Sequence, residues 1–232
     1  MDRFLGEVKD GRFFLKGEEF KHAKVKRIKK GQIIEVNDLK GNVFTGIVEE
    51  IGKNLIKGKI LKKLPVKEEN FFLQLFLGVP NRPSKIDDLI EPISQLGVSQ
   101  LIPVITERTA VKEQDILKKI NRWKKIALNS IKQCKRLYPV EILNPIKLED
   151  IQTKAEKRIV FFEREKQFSL KKEKIKKAKS AAVFIGGEGG ITDNEIEILT
   201  KKGFRPASLG DYILKMETAV IVGICQVNFV YR

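Results

Sequence analysis

The stretch AAVFIGGEGGITDNEIEIL, residues 181–199, joins a short apolar run, four glycines around one glutamate, and polar residues typical of a helix start. AAVFI predicts a buried strand, and Thr192 followed by Glu195 predicts a capping box at the next helix. Glycine permits positive φ and lets a ligand approach the backbone, and α/β proteins bind ligands at the carboxyl ends of strands. The glycines do not form GxGxxG, so a dinucleotide fingerprint is not supported. Taken alone, this stretch leaves a ligand-binding loop and a tight structural turn equally open.

Apolar runs alternate with helical patterns on both sides of this stretch. Strands are predicted at FFLQLFLGV (71–79), LIPVITE (101–107), KRIVFFE (157–163), SAAVFIGG (180–187) and TAVIVGICQVNF (218–229). Helical spacing is seen in SKIDDLIEPISQ (84–95), which Gly97 ends, in the basic, amphipathic segment 116–137, and in ILKMETA (213–219). The alternation predicts an α/β domain with a mostly parallel sheet over residues 70–232.

The first 66 residues have a different texture. Short alternating segments such as QIIEVND and VFTGIVEE are separated by Gly, Asn and Asp, and they predict a small β-barrel. KGEEFKHAKVKRIKKG (16–31) interrupts them as a short helix ending at Gly31. The proline-containing charged segment LPVKEEN (64–70) predicts the boundary between a domain at 1–66 and one at 70–232.

Composition narrows the class of function. With 46 Lys and Arg against 30 Asp and Glu, the net charge of +16 favours a polyanionic partner, most simply nucleic acid. The single histidine, His22, cannot supply both a metal site and a catalytic base, and no P-loop is present. Cys134 and Cys225 are far apart, so neither structural zinc nor a disulfide framework is expected. We therefore expect no metal, no membrane span, a reducing compartment and, in an enzyme, a reactive cofactor.

A second stretch gives the glycine loop a context. SLGDYILKMETA (208–219) and the glycine loop together resemble the IGPEGG and LGxRILRxETA motifs of the RsmE family, which belongs to the SPOUT superfamily of S-adenosylmethionine-dependent RNA methyltransferases. The resemblance extends over essentially the whole chain. Three positions depart from these motifs: Gly187 replaces a proline, and Tyr212 and Lys215 replace arginines. Loss of arginine matters where a site needs its bidentate donors.

The resemblance implies a fold and a donor site. The second domain is expected to be a SPOUT α/β domain with a deep trefoil knot, and the first a PUA-like barrel that helps to bind RNA. The knotted loops are expected to hold S-adenosyl-L-methionine through Phe162, Ile185, Gly186, Gly187, Glu188, Gly190, Leu209, Gly210, Ile213, Leu214 and Thr218.

The implied reaction is methylation of N3 of one uridine in small-subunit ribosomal RNA. That nitrogen carries a proton at neutral pH, so Glu188 is the candidate general base, and Arg108 is the candidate group for stabilising the anion that forms. A structural carboxylate and a surface ion pair are the simpler alternatives for these two residues. RNA contacts are expected from Arg3, His22, Lys24, Arg27 and Arg136.

The resemblance also implies a cytoplasmic homodimer that acts on the assembled small subunit. Two other functions stay open at this point. One is a SPOUT methyltransferase acting on another RNA position, which Tyr212 and Lys215 keep possible. The other is an RNA-binding protein without catalysis, against which the intact glycine loop and ETA segment argue.

Overall fold

The computed structural model describes residues 1–67 and 69–232, and the chain divides into two compact units. The first contains Met1–Glu68 with Ile131–Tyr138, and the second contains Glu69–Ser130 with Pro139–Arg232. Each unit has its own buried apolar core.

The first unit is a curled six-stranded sheet with one helix. Its elements are β1 (Arg3–Leu5), β2 (Glu7–Lys9), β3 (Arg12–Lys16), α1 (Gly17–Val25), β4 (Ile33–Asn37), β5 (Val43–Ile51) and β6 (Leu55–Leu64). The strand order is β1-β4-β5-β6-β3-β2, with only β1 and β4 parallel. Gly6 alone separates the two edge strands β1 and β2 in sequence, so the sheet must curl until its edges approach. This agrees with the small barrel predicted from the sequence.

The helix of the first unit is shorter than the sequence predicts. α1 ends at Val25, not at Gly31, because Arg27 adopts a left-handed backbone conformation with φ of 54°. The Ile28 N–H then bonds back to the Ala23 carbonyl at 3.1 Å, which closes the helix end and turns Ile28 into the core.

The second unit is an α/β domain. Its strands are β7 (Phe72–Gly78), β8 (Gln100–Ile105), β9 (Glu141–Ile142), β10 (Ile146–Lys147), β11 (Lys157–Phe161), β12 (Ser180–Ile185) and β13 (Arg205–Ala207). Its helices are α2 (Lys85–Gln95), α3 (Glu113–Cys134, whose last four residues fall in the first unit), α4 (Asp193–Lys201) and α5 (Met216–Tyr231), with short 3₁₀ turns at Leu148–Asp150 and Leu170–Lys172. The order is β10-β8-β7-β12-β11-β13, with β9 beside β8, and the pairings within the described chain are all parallel.

Both faces of this sheet are covered, which explains the continuous apolar runs of its central strands. Leu75 of β7 packs in the core on one face, and its neighbour Phe76 packs in the core on the other. The register aligns Leu77 with Ile185 and Ile185 with Phe161, so the carboxyl ends of β7, β12 and β11 meet at one edge. The loops that leave this edge build the site described below.

The strand predicted over 218–229 is wrong, because this segment forms helix α5. Val220, Ile224 and Val227 are fully buried at helical spacing. The outer face is also apolar, with Phe229 72% exposed and Cys225 exposed, so the polar stripe that usually marks an amphipathic helix is missing. The run of β-branched residues then imitates a buried strand.

The predicted fold class is confirmed: a small β domain precedes an α/β domain with a parallel sheet. The threading of a trefoil knot stays a prediction from the resemblance. Over residues 1–67 and 69–232, no helix has the length and apolarity needed to cross a membrane.

Candidate methyl-donor site

A cavity of about 450 Å³ opens at the carboxyl edge of the parallel sheet. Three segments at strand ends line it: Phe161–Glu163 at the end of β11, the glycine loop 186–190 after β12, and the loop 208–215 after β13. This is the position at which α/β sheets bind ligands. The volume lies within the range of about 300–1,000 Å³ found for small-molecule sites.

The glycine loop runs so close to neighbouring backbone that side chains would not fit. A Cβ on Gly78, the last residue of β7, would overlap the Gly187 amide nitrogen and lie 3.0 Å from the Gly186 carbonyl carbon. A Cβ on Gly186 would lie 2.7 Å from the Ile191 side chain. Gly190 has a φ of 73°, which disfavours other residues. The glycines therefore meet a packing requirement at the wall of the cavity.

Glu188 is held at two points. Lys85, the first residue of α2, donates to its Oε1 at 2.5 Å, and the Asn81 N–H donates to its Oε2 at 3.0 Å. The Lys85 ammonium also pairs with Glu217 of α5 at 3.2 Å. The bond from Lys85 is the largest cause that lowers the pKa of Glu188, and the bond to Glu188 is the largest cause that raises the pKa of Lys85. A carboxylate with a lowered pKa and two donors is a good anchor and a weak proton acceptor.

Arg108 lies beside the glycine loop, where its Nη1 donates to the Gly189 carbonyl at 2.6 Å. The Arg108 loop is fixed from beneath by Glu195, which is 2% exposed and accepts from the Glu107 N–H at 2.8 Å. Glu195 also completes the predicted capping box with Thr192, which is confirmed. Arg108 does not line the cavity itself. The simpler alternative for Arg108 is a surface ion pair, for example with Glu107. The contact that the structure shows is the one to the Gly189 carbonyl.

The loop 208–215 has fewer local supports. The Ser208 hydroxyl bonds within the turn to the Gly210 N–H at 3.2 Å, and the Ser208 N–H bonds to the Phe168 carbonyl at 2.8 Å. Tyr212 and Ile213 project outward at 86% and 85% exposure. This side of the cavity therefore presents side chains to solvent.

The structure brings ten of the eleven predicted donor-site residues to this cavity: Phe162, Ile185, Gly186, Gly187, Glu188, Gly190, Leu209, Gly210, Ile213 and Leu214. Thr218 does not line it and is exposed on α5. Sequence reasoning missed Lys85, because one lysine among many carries no signal. The family resemblance also places FFE (161–163) at a neighbouring strand end, and all three of these residues line the cavity.

The residues predicted to contact RNA lie in the first unit and in varied surroundings. The Arg3 side chain is 9% exposed and pairs with Glu35 at 2.9 Å, which favours a structural role over the predicted phosphate contact. His22 is partly buried against the Phe4 ring, with centroids 5.0 Å apart. The exposed residues Lys24 and Arg27 keep their charges at the surface, and Arg136 is partly exposed.

The cavity suits a ligand with both apolar and charged parts. Phe162, Ile185, Leu209 and Leu214 supply apolar surface, and the glycine backbone supplies hydrogen-bonding groups that a planar base can reach. The carboxylates of Glu163 and Asp211 line the same space and favour a cationic group, and the Glu217 carboxylate there is paired with Lys85. These residues therefore fit S-adenosylmethionine. Within the described parts of the chain, no group of three or more His, Cys, Asp or Glu side chains is placed to hold a metal ion.

Family models and a solved structure define the class of protein to which this chain is similar. Residues 67–228 match the model of the RNA methyltransferase domain, and residues 15–61 match the model of the RNA methyltransferase PUA domain. A crystal structure of a ribosomal RNA small subunit methyltransferase E from Neisseria gonorrhoeae, bound to S-adenosyl methionine, superposes with a TM-score of 0.87 at 24% identity, covering 100% of this chain and 98% of that one. The chain thus has the fold of an RNA methyltransferase with a PUA domain.

The curated relatives narrow the class to one family. A ribosomal RNA small subunit methyltransferase E from Aquifex aeolicus is 33% identical over 225 residues, which cover 95% of this chain and 96% of the relative. The enzyme of the same name from Bacillus subtilis is 25% identical and covers 94% and 90%. The chain belongs to the ribosomal RNA small subunit methyltransferase E family.

Proposed function

We propose that this chain transfers a methyl group from S-adenosylmethionine to N3 of a specific uridine in small-subunit ribosomal RNA. The observation that carries the proposal is the cavity of about 450 Å³ walled by the glycine loop and the loop 208–215, in a chain that belongs to this family. Ten residues that the family resemblance assigns to the donor line this one cavity.

When bound, S-adenosylmethionine supplies a methyl group activated by its sulfonium. Phe162, Ile185, Leu209 and Leu214 would hold the adenosyl part, since they are the apolar residues at the strand ends. The backbone of the glycine loop would hydrogen-bond the adenine, because no side chain intervenes. The Glu163 and Asp211 carboxylates would favour the cationic end.

Uridine must also lose its N3 proton, which we infer passes to solvent water at the open mouth of the cavity. We infer that Glu188 positions the glycine loop and does not accept this proton, because Lys85 and the Asn81 N–H already engage its oxygens. Arg108 donates one guanidinium N–H to the Gly189 carbonyl, and its guanidinium carries further N–H donors. Those donors would stabilise negative charge on a carbonyl oxygen of the base.

RNA binding is assigned to both domains, 1–66 and 70–232. The +16 charge supports a broad phosphate contact, and the PUA match at 15–61 supports a role for the first domain. The proposed RNA contacts in the first unit are His22, Lys24, Arg27 and Arg136. We propose the assembled small subunit in the cytoplasm as the substrate, as the family resemblance implies.

We further propose a homodimer formed through the outer face of α5. Phe229 is 72% exposed and Cys225 is exposed on a helix whose other face is in the core, and a second copy of the same helix would cover this apolar face. Phe229→Glu should shift the sedimenting species to a monomer. Ile175→Glu, at a residue 68% exposed elsewhere, should leave the dimer intact. A monomeric unaltered protein would contradict the proposal.

A methyltransferase acting on another RNA position is the second candidate, because Tyr212 and Lys215 depart from the family motif. One experiment separates the two candidates. The protein is titrated with S-adenosylmethionine by calorimetry, then incubated with free small-subunit RNA and with intact subunits, and the methylated nucleotide is mapped. Methylation of a uridine, more strongly in subunits, is expected. A methyl group on another base would establish the second candidate, and absent donor binding and transfer would refute both.

A further inference from the structure

Three aromatic residues line the donor cavity, and they differ in how much surface they offer. Phe161 and Phe162 are buried at 5% and 9% exposure, and the Arg164 guanidinium covers the Phe162 ring at 4.9 Å. Tyr212 lines the same cavity and is 86% exposed. Only the Tyr212 ring therefore has open faces among these three.

No residue that the structure describes engages the Tyr212 ring. Across residues 1–67 and 69–232, neither a hydrogen bond nor a ring contact involves its side chain. The turn before it is ordered by Ser208 and by Gly210, whose φ of 142° suits glycine. Single exposed aromatic residues are common on protein surfaces, but this ring lies at the mouth of a ligand cavity, where both of its faces can receive a flat ligand.

The target of the proposed reaction is a flat base, whose shape matches the face of an aromatic ring. A base whose pairing edge is to be methylated must leave its stack, and proteins that hold unstacked bases do so on aromatic faces. We propose that Tyr212 is a positioning residue whose ring stacks on the target pyrimidine at the mouth of the donor cavity. This inference rests on the proposed function and adds to it the residue that receives the base.

The test is a double-mutant cycle between the ring and the base. Binding of a fluorescent RNA fragment carrying the mapped target is measured by anisotropy with S-adenosylhomocysteine present. A second fragment has an abasic nucleotide at the target. Loss of one stacked base weakens binding by roughly tenfold to a hundredfold. Tyr212→Ala should show this loss on the intact fragment and no added loss on the abasic one, because the stacked pair is then already broken.

Two variants sharpen the cycle. Tyr212→Phe keeps the ring and should bind the intact fragment within about twofold of the unaltered protein. Phe72→Ala removes a 45% exposed aromatic at the far end of β7, away from the cavity, and should respond to the abasic change as the unaltered protein does. Sedimentation of each variant reports the oligomeric state.

Each outcome decides the proposal. Equal binding of the intact fragment by Tyr212→Ala and the unaltered protein, in a protein that methylates its RNA, overturns the stacking role and leaves the proposed function standing. Additive losses in the cycle, or dissociation of a dimer by Tyr212→Ala, also overturn it, since the ring then acts elsewhere. If the unaltered protein binds no donor and transfers no methyl group, the proposed function and this inference fall together.

Discussion

The glycine loop 186–190 and the loop 208–215 line one cavity, but they are held to different degrees. Two side chains hold the glycine loop: Arg108 donates to the Gly189 carbonyl, and Lys85 donates to the Glu188 carboxylate. The backbone of the loop also packs against the end of β7. The loop 208–215 is ordered at its base by Ser208, and its tip exposes side chains. Both loops line the donor cavity, but the loop 208–215 also exposes large hydrophobic side chains at the mouth of that cavity.

The largest effect should come from filling the space at the glycine loop. Gly78→Ala places a Cβ against the Gly187 amide, and backbone cannot move aside as a flexible side chain can. A displacement of bound reactants by about 1 Å costs up to about a hundredfold in rate, so the single-turnover methyl-transfer rate should fall by about that factor. Gly52→Ala is the control, since its Cβ would lie 3.3 Å from the Leu55 carbonyl in the barrel. A folded Gly78→Ala protein with a normal methyl-transfer rate would show that close packing of the glycine loop does not shape the donor site.

A smaller effect is expected when the glycine loop loses its lysine. Lys85→Met removes the cation shared by Glu188 and Glu217 and leaves two carboxylates facing each other. Donor affinity should fall by about tenfold, because a charged hydrogen bond to the loop is lost. Lys118→Met breaks an exposed pair with Asp115 and should leave the affinity unchanged. Equal affinities for both variants would show that the Lys85 contacts do not shape the site.

Glu188→Gln separates anchoring from proton transfer. The amide keeps an oxygen for the Asn81 N–H, so the single-turnover methyl-transfer rate at saturating donor should fall by less than about tenfold. Loss of a general base would cost roughly a hundredfold to ten-thousandfold and would remove the acidic limb of the pH–rate profile. A loss of that size, with that change in the profile, would restore Glu188 as the base.

The smallest effect concerns the pH dependence of stability. Contact with Lys85 lowers the pKa of Glu188 from 4.5, so the folded protein holds this proton less tightly than the unfolded chain does. The contribution is therefore present above about pH 5 and is lost as pH falls through the lowered pKa. The raised pKa of Lys85, from 10.5, keeps the pair intact up to alkaline pH.

Urea unfolding between pH 7 and pH 3 tests this sign. The free energy of unfolding should decrease as the pH is lowered, and this decrease should be smaller in Glu188→Gln. The same slope in both proteins would mean that Glu188 has an ordinary pKa and that the glycine loop is not held through it.

The two loops also differ in how far the sequence predicts them. The strand, the glycines and the capping box at Thr192 are local patterns, and they correctly place the glycine loop at the sheet edge. The contacts that hold that loop come from Lys85, 103 residues away, and from Arg108, 81 residues away. No local pattern marks such partners, because only the strand order brings them together.

Helix α5 shows the opposite failure. Its buried residues repeat at helical spacing, but Cys225 and Phe229 make its outer face apolar too. A binary pattern cannot distinguish this from a buried strand, since it records hydrophobicity and not what covers each face. The proposed second copy of the chain would supply the missing cover.

A labelled methyl donor tests directly whether this chain methylates uridine N3, as we propose. The most direct measurement incubates the protein with small subunits and a donor carrying a deuterated methyl group, and then analyses the RNA nucleosides by mass spectrometry. Labelled 3-methyluridine is expected at one RNA position, and far less of it is expected with Gly78→Ala over the same incubation time. Label in any other nucleoside, or no label from a protein that binds the donor, would contradict the proposal.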